Sequence, residues 1–132
     1  MSKKGVERIT VFIADDHAVL REGLRLLIES KENIEVIGDA ENGREAVRKV
    51  KALKPNVVIM DIAMPELDGI EATRQICDIS PSTRVIILSM HSSPEYVQRS
   101  IEAGASGYIL KESAAAEIIN AVITVTSGRR YL

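Results

Sequence analysis

Short apolar runs of strand length alternate with helix-period segments five times along these 132 residues, and that alternation limits the fold more than any other feature. Ile9–Ala14 is an apolar run that ends in charge, after which Leu20, Leu24, Leu27 and Ile28 recur at helical spacing, predicting a helix over 18–29. Residues 34–38 read as a second strand. Asn42-Gly43 opens a second helix with Ala46, Val47, Val50 and Leu53 on one face, and Pro55 closes it. Residues 57–60 are a third strand, followed by a helix marked by Ile70, Thr73, Ile76 and Cys77. Arg84–Ser89 and Gly107–Leu110 are the last two strands. Between them a helix carrying Val97 and Ile101 stops near Gly104, and a final one carrying Ile118, Ile119, Val122 and Ile123 ends near Gly128.

Strands that alternate with helices imply right-handed crossovers and a parallel sheet covered on both faces. The first, third and fourth runs are almost continuously apolar, as strands buried on both sides should be. The expected fold is a small doubly wound α/β sandwich. With 45% hydrophobic residues there is enough apolar material for its core, and the length suits one domain. A net charge of −2 argues against a nucleic-acid binder, and Arg129-Arg130 is too little positive charge to anchor a duplex. One cysteine, Cys77, cannot form an internal disulfide. It falls on the apolar face of the third helix and reads as core. The basic start at residues 1–4 has no apolar run behind it, so no signal peptide is expected. No run approaches the roughly 18 apolar residues of a membrane span. A cytoplasmic protein without membrane contact is the expectation.

In open parallel sheets, ligands sit at the carboxyl ends of the strands. The first strand ends in Asp15-Asp16-His17, the third in Asp61, the fourth in Ser89 and the fifth in Lys111. All therefore fall on one edge. Three gathered carboxylates repel unless a cation compensates, and hard oxygen ligands suit Mg²⁺. Lys111 supplies a point charge for a phosphoryl group, and Ser89 a hydroxyl donor. Phosphoryl transfer to a carboxylate needs little beyond such positioning and charge compensation, so Asp61 is the candidate nucleophile. Each residue alone has a plainer reading: Asp15-Asp16 as a helix N-cap, Asp61 as a loop carboxylate before Pro65, Ser89 as a strand-end hydroxyl, Lys111 as a solvated charge. Joint placement on one edge favours a single site. His17 reads as a turn residue entering the first helix, and His91 either lines the site mouth or is a plain loop histidine. Glu66 reads as a loop residue, with Asp68 as the N-cap of the third helix.

With Asp15-Asp16, the stretch Met60-Asp61-Ile62-Ala63-Met64-Pro65-Glu66-Leu67-Asp68-Gly69, Ser89, Gly104-Ala105-Ser106-Gly107-Tyr108 and Lys111 in hand, the chain resembles the receiver domain of two-component response regulators. Asp15-Asp16-His17, the run 60–65 and Gly128-Arg129-Arg130-Tyr131-Leu132 look most like the NarL/FixJ (LuxR-type) subfamily. The resemblance implies a flavodoxin-like five-stranded parallel sheet of order 2-1-3-4-5 with five helices. It implies a receiver over residues 1–127, with 128–132 beginning a linker to a C-terminal helix-turn-helix DNA-binding domain that this chain lacks. A histidine kinase would phosphorylate Asp61 in a Mg²⁺-dependent step. Asp16, Asp61 and the Ala63 carbonyl would hold the metal directly, and Asp15 through water. Lys111 and Ser89 would bind the phosphoryl group, Tyr108 would switch in concert with Ser89, and phosphorylation would promote a homodimer. The domain would not be an enzyme, except in catalysing its own phosphorylation and dephosphorylation. Control of transcription would run through the DNA-binding domain.

Two departures from the wider pattern stand out. Ser89 replaces the commoner threonine and keeps the hydroxyl. Glu112 follows Lys111 where many receivers have proline; a cis bond without proline costs about 3–4 kcal/mol, so a trans bond is expected. A haloacid-dehalogenase-type phosphatase would also use a strand-end aspartate. It would need a second carboxylate where this chain has Ala63, which cannot transfer protons. No G-x-G-x-x-G follows the first strand, against a dinucleotide site. A receiver that had lost phosphoacceptance would lack one of the acidic residues or the lysine, and all are present.

Overall fold

The computed structural model describes residues 8–132. Residues 1–7, with the basic start weighed above, lie outside the described residues. The elements run β1 (Ile9–Ala14), α1 (Ala18–Ile28), β2 (Ile34–Ala40), α2 (Gly43–Leu53), β3 (Val57–Asp61), α3 (Gly69–Ile79), β4 (Arg84–Ser89), α4 (Pro94–Ala103), β5 (Gly107–Leu110), a single 3₁₀ turn (Lys111–Ser113) and α5 (Ala114–Thr126). All strand pairs are parallel, in the order β2-β1-β3-β4-β5. The expected flavodoxin-like order and the five helices are both found.

Alternation along the strands divides the core in two. Phe12, Met60 and Ile87 point to the face covered by α2, α3 and α4. Val11, Ile13, Ile59, Ile86 and Leu88 point to the face covered by α1 and α5. Because side chains alternate across a strand, a continuous apolar run serves both faces at once. Local chemistry sets the helix ends. Asn42 Oδ1 accepts from the Glu45 N–H at 2.8 Å, and Asp68 Oδ1 from the Glu71 N–H at 2.9 Å. Pro94 opens α4, and Gly104, at φ 110°, closes it in the left-handed region.

The structure differs from the sequence reading in a few places. β2 runs on through Gly38-Asp39 to Ala40, with a register shift opposite Val11 and Phe12. A Cβ on Gly38 would press on Leu53 at 3.0 Å and on the Phe12 ring at 3.1 Å, so the glycine suits this close packing. Asp61 is the last residue of β3 rather than the first beyond it. Lys111 begins the 3₁₀ turn, while its bond to Glu112 is trans, as expected. Cys77 is only half-buried, at the rim of the first core. No helix among the described residues is long and apolar enough to cross a membrane.

Candidate functional site

The sheet order places the ends of β1, β3 and β4 side by side, with β5 next to β4. Asp15, Asp61 and Ser89 are fully buried at that edge, although each is polar. A buried polar group is stable only with partners, so each one asks what it faces.

Asp61 faces Lys111, whose Nζ lies 3.0 Å from Oδ2, and its Oδ1 accepts from the Ala63 N–H at 3.2 Å. Burial pushes the Asp61 carboxyl above the ordinary range; the Lys111 hydrogen bond opposes this and the Asp15 charge adds to it. Asp15 Oδ1 accepts from the His17 N–H at 2.7 Å. Its other oxygen, Oδ2, is buried without any hydrogen bond, 3.7 Å from Lys111 Nζ. Asp16 is more open. The plain N-cap reading of the acidic pair does not hold, since the residue at the start of α1 is His17 and no side chain caps that helix.

Oxygen and nitrogen atoms of Asp15, Asp16, His17 and Asp61 lie within 4.8 Å of one another. An unpartnered buried carboxylate oxygen beside two further carboxylates is what a hard cation would satisfy. The residues present therefore fit a divalent ion. His17 is closer to this chemistry than its turn position suggested, with Nδ1 3.1 Å from Asp15 Oδ1 and 3.2 Å from Asp16 Oδ1. Arg21, one turn further along α1, escaped the sequence reading. Its Nη1 donates to the Asp15 carbonyl at 2.7 Å and steadies the acidic turn. The one available hint was its spacing of four from His17.

The loop after β3 is held by a close approach. Gly69 N–H donates to Ile62 O at 2.9 Å, and a Cβ on Gly69 would overlap the Asp61 carbonyl. Glu66 is exposed, in the left-handed region at φ 73°, and pairs loosely with Arg44. Asp68 caps α3 as expected.

Ser89 and Tyr108 meet at one residue. Ser89 Oγ accepts from the His91 N–H at 2.9 Å, and the Tyr108 hydroxyl donates to His91 O at 2.7 Å. Tyr108 is thus turned inward while the Ser89 hydroxyl is engaged by the loop rather than by Asp61. The His91 ring stacks on Tyr96 of α4 at 4.5 Å, so the ring is directed to α4. A cleft of about 470 Å³ opens over this edge, lined by His17, Leu20, Ser89, Met90, Lys111 and Glu112 among others.

The family model for the response regulator receiver domain matches residues 11–123. Among curated proteins, the chain is 40% identical over 125 residues to the transcriptional regulatory protein DegU of Brevibacillus brevis, covering 95% of this chain and 53% of that protein. It is 43% identical over 124 residues to the transcriptional regulatory protein LiaR of Bacillus subtilis, covering 94% and 59%. The chain thus spans little more than half the length of these relatives. Among solved structures, it is similar to a two-component response regulator of the LuxR family from Aurantimonas sp. SI85-9A1, at 36% identity, TM-score 0.90 and coverage of 96% of this chain and 90% of that one. It is also similar to the signal receiver domain of the putative response regulator NarL from Mycobacterium tuberculosis, at 33% identity, TM-score 0.88 and coverage of 93% and 99%.

Proposed function

This chain belongs to the response regulator receiver domain family, in its NarL/FixJ (LuxR-type) branch, and on that premise we propose that it takes up a phosphoryl group on Asp61 from a sensor histidine kinase. The observation that carries the reading is the pairing of a fully buried strand-end carboxylate with Lys111 at 3.0 Å, next to an Asp15 oxygen that has no hydrogen-bond partner.

In the transfer step, an Asp61 carboxylate oxygen attacks phosphorus. The new O–P bond forms as the P–N bond to the donor imidazole breaks, and the imidazole nitrogen keeps the electron pair. Lys111 screens the charge on the phosphoryl oxygens from the Asp61 and Asp15 carboxylates. Asp15, Asp16, Asp61 and the Ala63 carbonyl would hold Mg²⁺. The ion would supply charge neutralisation and a docking point for phosphoryl oxygens. Ala63 offers no acid or base, so hydrolysis of the acyl phosphate would rely on water and the same charges.

Signal readout follows from His91, the residue that Ser89 and Tyr108 share. A dianion at Asp61 draws the Ser89 hydroxyl away from the His91 N–H. The loop then relaxes around His91, whose carbonyl holds the Tyr108 hydroxyl and whose ring holds α4. Tyr108 is already turned inward, so the change begins at Ser89 and His91 and not with a swing of Tyr108 into an empty space. Two conformations of the α4–β5–α5 face, biased by phosphate, would control a homodimer. Output on transcription would run through a DNA-binding domain outside this chain, in the cytoplasm.

The test is mass spectrometry after treatment with acetyl phosphate and Mg²⁺. One added phosphoryl group mapped to Asp61, and lost when EDTA replaces Mg²⁺, is the expected result. Stoichiometric label on another residue, or metal-independent label, would sink the assignment.

A further inference from the structure

The opposite end of the sheet carries a charged feature that phosphoacceptance does not use. After α5 the chain turns at Gly128, φ 93°, and Tyr131 comes to lie beside β5 as a parallel bridge partner of Gly107. The Tyr131 N–H donates to Ser106 O and the Tyr108 N–H donates to Tyr131 O, both at 2.9 Å. The Tyr131 hydroxyl donates to Glu117 Oε1 at 2.9 Å. So anchored, the segment brings Arg129 and Arg130 up to the start of β4. A cleft of about 200 Å³ results, lined by Arg84, Gly104, Ser106, Gly128, Arg129 and Arg130 among others.

None of these three guanidiniums makes an ion pair among the described residues, whereas Arg8, Arg21, Arg25, Arg44, Arg48 and Arg74 all do. The plain explanation is compensation of helix C-termini. α4 and α5 both end here, and neither has a basic residue in its last turn. Each helix end carries about half a negative charge, so the two together offset only about one of the three positive charges. About two remain against these helix ends, in a small cleft whose lining is mostly polar. That excess matches a dianion, and forked guanidiniums match the oxygen geometry of phosphate. A water occupies about 30 Å³, so the volume suits one tetrahedral oxyanion with a few waters.

We propose that the cleft between Arg84, Arg129 and Arg130 binds a phosphate-class oxyanion, free or as a monoester, at the end of the sheet opposite Asp61. Occupancy ties the segment after α5 to β4. It thereby strengthens the grip of Tyr131 on the backbone of Tyr108.

The test is a titration of inorganic phosphate into ¹⁵N-labelled chain, with EDTA present and chloride holding ionic strength constant. Saturable amide shifts centred on Gly104, Ser106, Arg129 and Arg130 are expected. Arg84→Gln and, separately, Arg129→Gln should weaken the affinity about tenfold or more, the loss of one charged hydrogen-bonded partner. Arg48→Gln, on α2, should leave it unchanged. A parallel titration with O-phosphoserine separates the sources: tighter binding at the same amides assigns the cleft to a monoester, weaker binding to the free ion. Shifts that do not saturate, that spread over other arginines, or that respond equally to Arg84→Gln and Arg48→Gln would overturn the proposal.

Discussion

At the amino ends of the strands, the uncharged polar side chains of Thr10, Asn56, Ser80 and Thr83 hydrogen-bond to backbone and to one another. Asn56 Oδ1 accepts from the Thr10 N–H at 2.8 Å and from the Thr10 hydroxyl at 3.1 Å, while the Asn56 N–H donates back to Thr10 Oγ1 at 3.0 Å. Thr83 Oγ1 donates to Pro55 O at 2.7 Å, with Ser80 Oγ also 2.7 Å away. At the carboxyl ends the reverse holds. Asp15 Oδ2 is buried and unpartnered, and Asp61 is buried with its carboxyl pushed up by desolvation. Uncharged polar groups close one end of the sheet with satisfied hydrogen bonds, while at the other end buried carboxylates keep electrostatic demands open. The contrast separates polar residues that stabilise the fold from those that the fold stabilises against their own preference.

Asp61→Asn should break the contrast most sharply. Labelling by acetyl phosphate with Mg²⁺ is expected to vanish while far-ultraviolet circular dichroism stays native; persistent stoichiometric label would show the nucleophile to be elsewhere. Lys111→Met comes next. Removing one preorganised charge from a buried site typically costs about 10²–10³ in rate, so the initial rate of labelling should fall by that order. A rate within a few-fold of wild type would mean that Lys111 only balances charge in the resting protein.

At the amino end the effect should appear in stability alone. Asn56→Ala leaves the Thr10 N–H and the Thr10 hydroxyl without their acceptor. Because the pair is exposed, denaturant unfolding should register only the net worth of a hydrogen bond, a loss of about 0.5–1.5 kcal/mol, with the labelling rate unchanged. A slowed labelling rate would mean that the two ends are coupled through β1 and β3.

An effect of similar size has a pH signature. The Asp61 carboxyl is raised in the folded state, so its ionised form opposes folding at neutral pH. That opposition is relieved as pH falls through the raised value towards the ordinary carboxylate range. With EDTA present, Asp61→Asn should therefore be more stable than wild type at pH 7, by about 0.5–2 kcal/mol. The difference should shrink as pH falls through that window. A difference that persists at low pH would assign it to packing instead of charge.

The two ends were unequally legible. Asp15, Asp16, Asp61, Ser89 and Lys111 could be placed on one edge from sequence, because a parallel topology sends every strand end the same way. β1, β4 and β5 were bounded correctly for a related reason: apolar runs bounded by polar or turn residues leave little choice. β2 was cut short at Gly38 because Gly-Asp looks like a turn, whereas pairing of Gly38, Asp39 and Ala40 with Phe12, Ile13 and Ala14 of β1 carries the strand on. The amino end was scarcely legible at all. Nothing in Asn56, Thr10 or Thr83 signals a partner tens of residues away, and nothing in Tyr131 signals that it lies along β5.

Sequence alone determined the order of the elements, the edge where chemistry collects and the residue types that collect there. These follow from periodicity and chain direction, which are local properties. Tertiary structure decided that Lys111 sits nearer Asp61 than Asp15, at 3.0 against 3.7 Å, that Asp15 keeps an unpartnered oxygen, and that Ser89 and Tyr108 share one residue, His91. Those outcomes depend on distances of a few ångströms between separate strands in a medium of low polarity, where a small displacement changes which charge is compensated.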